Sequence, residues 1–101
     1  MGNTMRFTKS EIRERIQRAM RSVSIVGDEV YYPARWRYGE RAGGASTSQP
    51  LQRHKRTGAQ ARLQVAAQRV ADDLGVTWYA DEELSTQADA VRGIHAAQGA
   101  A

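Results

Sequence analysis

Residues 23–38 run VSIVGDEVYYPARWRY, and the reading of this stretch decides the fold class. Gly27-Asp28 is a two-residue turn in which glycine supplies the positive φ that such turns need. Pairing the arms about it sets Ile25 opposite Val30 and Val23 opposite Tyr32, so these four side chains share a face. Along the second arm the alternation continues through Ala34, Trp36 and Tyr38, while Ser24, Tyr31, Arg35 and Arg37 take the other face. Period-two agreement across both arms marks a half-buried antiparallel hairpin. Pro33 has no N–H to give a ladder, which points to an edge position or a bulge. The second arm outruns the first, so residues 34–38 pair elsewhere or stay open.

Upstream of the hairpin, Thr8 and Glu11 have capping-box spacing, and Phe7 and Ile12 fall where a hydrophobic staple places its pair. The two signals predict a helix over about residues 9–21. Its apolar stripe is thin, Ile12, Ile16 and Met20 with Ala19 beside them, and Lys9, Arg13, Arg15, Arg18 and Arg21 stand around it. Glu11–Arg15 and Glu14–Arg18 are i,i+4 pairs of the favourable orientation.

Downstream the pattern dissolves. Gly43-Gly44, Ser46-Thr47-Ser48 and Pro50 read as part of a mobile basic loop over residues 39–57, with the run Arg53-His54-Lys55-Arg56 near its end. Thr57 and Gln60 then repeat the capping-box spacing, Leu63, Ala67, Val70 and Leu74 recur at helical spacing, and Gly75 sits where a C-terminal glycine belongs. Residues 76–79 read as a short strand. Asp81 is a natural N-cap for a last helix, with Glu82 and Glu83 on its positive end and Leu84, Ala88 and Val91 as its stripe. Past Gly93 the Ala- and Gly-rich tail is expected to fray. The expectation is a small α+β domain of order α-β-β-loop-α-β-α, a hairpin packed against two or three short helices. It spans residues 7–97, between a flexible leader (1–6) and a frayed tail (98–101).

Composition narrows the function classes. There is no cysteine, which excludes disulfides, thiolate zinc sites and cysteine nucleophiles. With two histidines, His54 and His95, a histidine metal site within one chain is not expected, and no cofactor is implied. No stretch approaches the roughly 20 apolar residues of a spanning helix, and the N-terminus lacks an apolar signal core. A cytoplasmic protein with no membrane role is the expectation. Leu, Ile, Val and Phe together make only 16 of 101 residues, so the chain has little large apolar surface from which to build a core. Self-association into a homo-oligomer, or docking on a partner, would complete one.

Charge is divided unevenly. Residues 1–70 hold fourteen of the fifteen basic side chains and five acids, a balance of +9, whereas residues 71–101 hold one base and six acids. A one-signed surface attracts polyanions. The leading expectation is therefore a non-enzymatic protein that binds nucleic acid or a nucleoprotein complex through Lys9, Arg13, Arg35, Arg37, Arg53, Lys55 and Arg56. Aromatic residues among the bases (Tyr31, Trp36, Tyr38) offer stacking surfaces, although periodicity puts Trp36 and Tyr38 on the core face.

A second expectation belongs to another class: an accessory or inhibitor protein of the kind that phages and mobile elements carry, acting by protein–protein docking. Asp72, Asp73, Glu82 and Glu83 would make its contacts. Acids at a helix C-terminus oppose its dipole, so Asp72 and Asp73 call for cationic neighbours, and Arg69 supplies one to Asp73. The one enzyme class left is a small basic ribonuclease working with His54, Lys55, Arg56 and Tyr31.

Overall fold

Each helix begins on a reciprocal cap in the computed structural model, which describes residues 6–36, 46–51, 57–80 and 84–99. Helix α1 (Lys9–Met20) starts where Thr8 Oγ1 accepts from the Glu11 N–H and Glu11 Oε1 accepts from the Thr8 N–H. Helix α2 (Gly58–Asp73) repeats the exchange between Thr57 and Gln60. Each cap satisfies N–H groups that the first helical turn leaves without partners.

The hairpin forms with the register read from its pattern. Strand β1 (Ser24–Val26) pairs antiparallel with β2 (Glu29–Pro33), Ile25 opposite Val30, and Gly27 takes φ +60° in the turn. The second arm does not stay extended: residues 34–36 close into one tight helical turn that carries Trp36.

Three expectations are corrected. Residues 46–50, read as loop, form strand β3 (Ser46–Pro50), which pairs antiparallel with β2, and Leu51 N–H donating to the Asp28 carbonyl extends the pairing. The sheet order is β1-β2-β3, so β2 is central and Pro33 does not lie on an edge strand. Pro33 is tolerated because β1 ends at the pair Ser24–Tyr31, and the ladder on that side needs no donor from it.

The second correction concerns residues 76–79, which form no strand. Their polar backbone is satisfied by a side chain instead. The Gln68 amide donates to the Trp78 carbonyl at 2.9 Å and accepts from the Ala80 N–H at 3.1 Å, taking the place of a paired strand.

Third, the last helix, α3 (Gln87–Gly99), starts later and runs further than the pattern suggests. Thr86 and Asp89 exchange the capping bonds, and Leu84 and Ser85 precede the helix, so α3 is capped at Thr86 and not by Asp81, which lies outside the described residues. Helix continues past Gly93, and Gln98 holds the chain's other end. Its amide donates to the Phe7 carbonyl and accepts from the Phe7 N–H, both at 2.8 Å. Residues 97–99, expected to fray or to begin a tail, are helical.

Two hydrophobic clusters meet at α2. Ile12, Ile16, Leu63, Ala67, Val70, Ala71, Leu84, Ala90, Val91 and Ile94 fill the space between the three helices, with Phe7 and Trp78 packed against them. Val23, Val30, Tyr32 and Ala66 form the second cluster, between sheet and α2. Alanine makes up for the scarcity of large residues. Ala61, Ala66, Ala67, Ala71 and Ala90 are fully buried, so backbones approach closely and small side chains suffice to close the gap. A methyl on Gly58 would come 3.1 Å from Ile25 Cγ2, which measures how near the start of α2 lies to β1. The chain thus closes a core by itself, and the scarcity argument for self-association loses its force. Among the described residues no helix is long and apolar enough to cross a membrane.

Candidate functional site

The packing of α1 on α2 sorts the basic residues of α1. Ile12 and Ile16 point into the core, and at about 100° per residue Arg15, Arg18 and Ser22 then fall on the flank that faces α2. Lys9 and Arg13 fall roughly 150° away, on the flank toward α3, where Gln17 meets Gln87. The predicted basic face of α1 is therefore two faces.

On the α2 side the elements leave a cleft of about 230 Å³, lined by Arg15, Arg18, Ala19, Ser22, Trp36, Arg69, Val70 and Asp73. It draws on α1, the turn after β2, and the last turns of α2. Three guanidinium groups and one carboxylate line it, an excess of two positive charges around an indole ring. Arg69 lies with its Cζ 5.5 Å from the Trp36 ring centroid, and its Nε donates to Asp73 Oδ2 at 3.0 Å. The ion pair is partly exposed and contributes little stability, but it holds the guanidinium over the ring. Trp36 lies in turn against Tyr32, with ring centroids 6.3 Å apart and planes at 27°.

Arg15 and Arg18 differ from Arg69. The expected Glu11–Arg15 and Glu14–Arg18 pairs do not form; the ion pairs among the described residues are Arg69–Asp73 and Arg92–Asp89. Glu11 is engaged at the Thr8 N–H, and Arg15 rests instead over the Phe7 ring, 4.9 Å from its centroid. Both α1 guanidiniums are exposed and carry no carboxylate partner among the described residues. Arg62 Nε donates to the carbonyls of Met20 and Val23, both at 3.0 Å, which fixes the chain on either side of Ser22.

No protein-family model, curated protein or solved structure matches this chain.

Of the residues expected to bind nucleic acid, Lys9 and Arg13 lie away from the cleft, and Arg35 is exposed beside Trp36 in the turn. Arg37, Arg53, Lys55 and Arg56 lie outside the described residues, as do Glu82, Glu83 and His54. Asp73 lines the cleft, and Asp72 accepts from Gln68 Nε2 at 3.2 Å, so both acids already have partners within α2. Tyr31 is half-buried on the sheet, opposite Ser24 and Ser48. Arg15, Arg18, Arg69 and Trp36 as a group were not picked out from sequence. They come from three separate segments, and only the i,i+3 spacing of Arg15 and Arg18 and the i,i+4 spacing of Arg69 and Asp73 hint at the arrangement.

Among the described residues, Asp89 is the one titratable group with a clear shift. Hydrogen bonds from the Ser85 hydroxyl, then the Thr86 hydroxyl, and from both backbone N–H groups, hold its pKa down at about 2. Its role is the α3 cap.

Proposed function

We propose that the protein binds nucleic acid, alone or within a nucleoprotein complex, and that the cleft between α1 and α2 is the centre of its contact surface. The observation that carries this reading is the arrangement of Arg15, Arg18 and Arg69 around an indole with only Asp73 to offset them. Guanidinium forks match phosphate oxygens, and an aromatic face among them suits a base. The +9 balance of residues 1–70 adds a long-range attraction to polyanions. Binding rather than catalysis is the role: the cleft supplies cations and a stacking surface, and its one carboxylate is tied to Arg69.

Fluorescence anisotropy with labelled DNA and RNA at low ionic strength tests the reading. Binding that weakens log-linearly with salt is expected, because released counterions drive phosphate contacts. Absence of binding to both polymers at low salt would overturn it and turn attention to protein docking.

A further inference from the structure

We infer that the cleft takes single-stranded nucleic acid, with a nucleobase stacked on the Trp36–Arg69 platform and an adjoining phosphate held by Arg15 and Arg18. The inference rests on the nucleic-acid reading above and names its ligand.

The platform is two planar, delocalised groups held one over the other. The indole is seated against Tyr32, and the Arg69 guanidinium, 5.5 Å from the ring centroid, is kept there by its 3.0 Å bond to Asp73. Bases unpaired from a complement stack on guanidinium planes as well as on rings, so with Tyr32 and Arg69 already against the indole the base extends this stack from the Arg69 side. Size agrees: about 230 Å³ is less than the roughly 300–1,000 Å³ of sites that enclose drug-sized ligands, so one base enters and the strand stays outside.

Duplex cannot use this recess. Its bases are stacked inside and its outer surface offers phosphate, which reaches Arg15 and Arg18 but not the indole. The two α1 arginines suit the phosphate because neither has a carboxylate partner among the described residues. Asp73, on the α2 wall, repels phosphate from that side and directs it toward α1.

The experiment uses oligo-dT, an abasic strand of the same length and charge, and a duplex of that length. Anisotropy with the wild-type protein gives the affinities. Quenching of Trp36 in a Trp78→Phe variant, which leaves one indole, reports stacking. Stacking of a single base predicts oligo-dT binding about 5- to 150-fold tighter than the abasic strand, with Trp36 quenched by oligo-dT alone. Arg69→Lys, which keeps the charge and removes the plane, is expected to erase most of that preference. Equal affinity for oligo-dT and abasic strand, or oligo-dT binding without quenching, overturns the inference and leaves the nucleic-acid reading standing. No binding of any probe at low salt overturns both.

Discussion

Arg62→Met removes a contact that ties the junction of α1 and β1, on either side of the cleft residue Ser22, to α2. The Arg62 guanidinium reaches from α2 to two carbonyls, Met20 at the end of α1 and Val23 before β1, through one Nε–H shared at 3.0 Å to each. A hydrogen bond from a charged donor contributes about 1.5–3 kcal/mol, and a cation at a helix C-terminus adds about 0.3–1 kcal/mol. Methionine keeps most of the aliphatic stem, so the packing contribution of the side chain largely survives. The expected loss is about 2–3 kcal/mol, which for a domain of this size lowers Tm by roughly 10–20 °C. Urea denaturation with an unchanged m-value gives the quantity directly. Arg13→Met, on an exposed flank, is the control and is expected within about 0.5 kcal/mol of wild type. A change below about 0.5 kcal/mol for Arg62→Met would refute the claim that this side chain fixes the junction of α1 and β1.

Three further outcomes follow from the same structure. Asp73→Asn removes the negative charge from the cleft while its amide oxygen can still accept from Arg69 Nε and keep the guanidinium over the indole, so affinity for oligo-dT is expected to rise about two- to ten-fold at low salt, by anisotropy; weaker binding with the preference over the abasic strand intact contradicts the view that it opposes phosphate. Asp89 has a folded pKa near 2, below its unfolded value, so its contribution is complete above about pH 5 and fades as pH falls through 4 toward 2. Asp89→Ala is expected to flatten that part of a stability-versus-pH curve. Gly93→Ala would place a methyl 2.5 Å from Trp78 Nε1, so the helical gain of about 1 kcal/mol is outweighed by displacement of the indole. In a Trp78→Ala background the same substitution is expected to stabilise, and thermal melts of the four proteins read the sign change.

Much of the fold was legible because local chemistry and tertiary packing agree. The Thr8–Glu11 and Thr57–Gln60 caps and the Ile25–Val30 register form as their spacing predicts. Strand β3 was not legible because Ser46-Thr47-Ser48-Gln49-Pro50 has no apolar alternation. Its place comes from the ladder with β2 and the bond from Gln49 Nε2 to the Tyr32 hydroxyl at 2.8 Å. The strand expected at 76–79 failed for the converse reason: the apolar pattern is there, but Gln68 occupies its backbone and Trp78 packs on Gly93. That close approach also explains how α3 runs through a glycine that looks like a stop.

The candidate site was legible only in part. Arginine abundance marked α1 as basic, but which arginines act together depends on the rotation of α1 about Ile12 and Ile16 and on the turn that brings Trp36 beside Arg69. Neither is encoded in a local motif. Alternation along an extended arm places Trp36 in the core; the tight turn at 34–36 instead leaves it half-buried, against Tyr32 on one hand and lining the cleft on the other.

The most direct test of the account compares the salt dependence of oligo-dT binding by wild type and by Arg15→Ala/Arg18→Ala. For a single strand each neutralised phosphate contributes about 0.7 to the slope of log K against log salt, so loss of the one phosphate that Arg15 and Arg18 share lowers its magnitude by about 0.7. A smaller slope together with weaker binding at low salt is the predicted result. An unchanged slope and affinity in the double variant would contradict the placement of phosphate in this cleft.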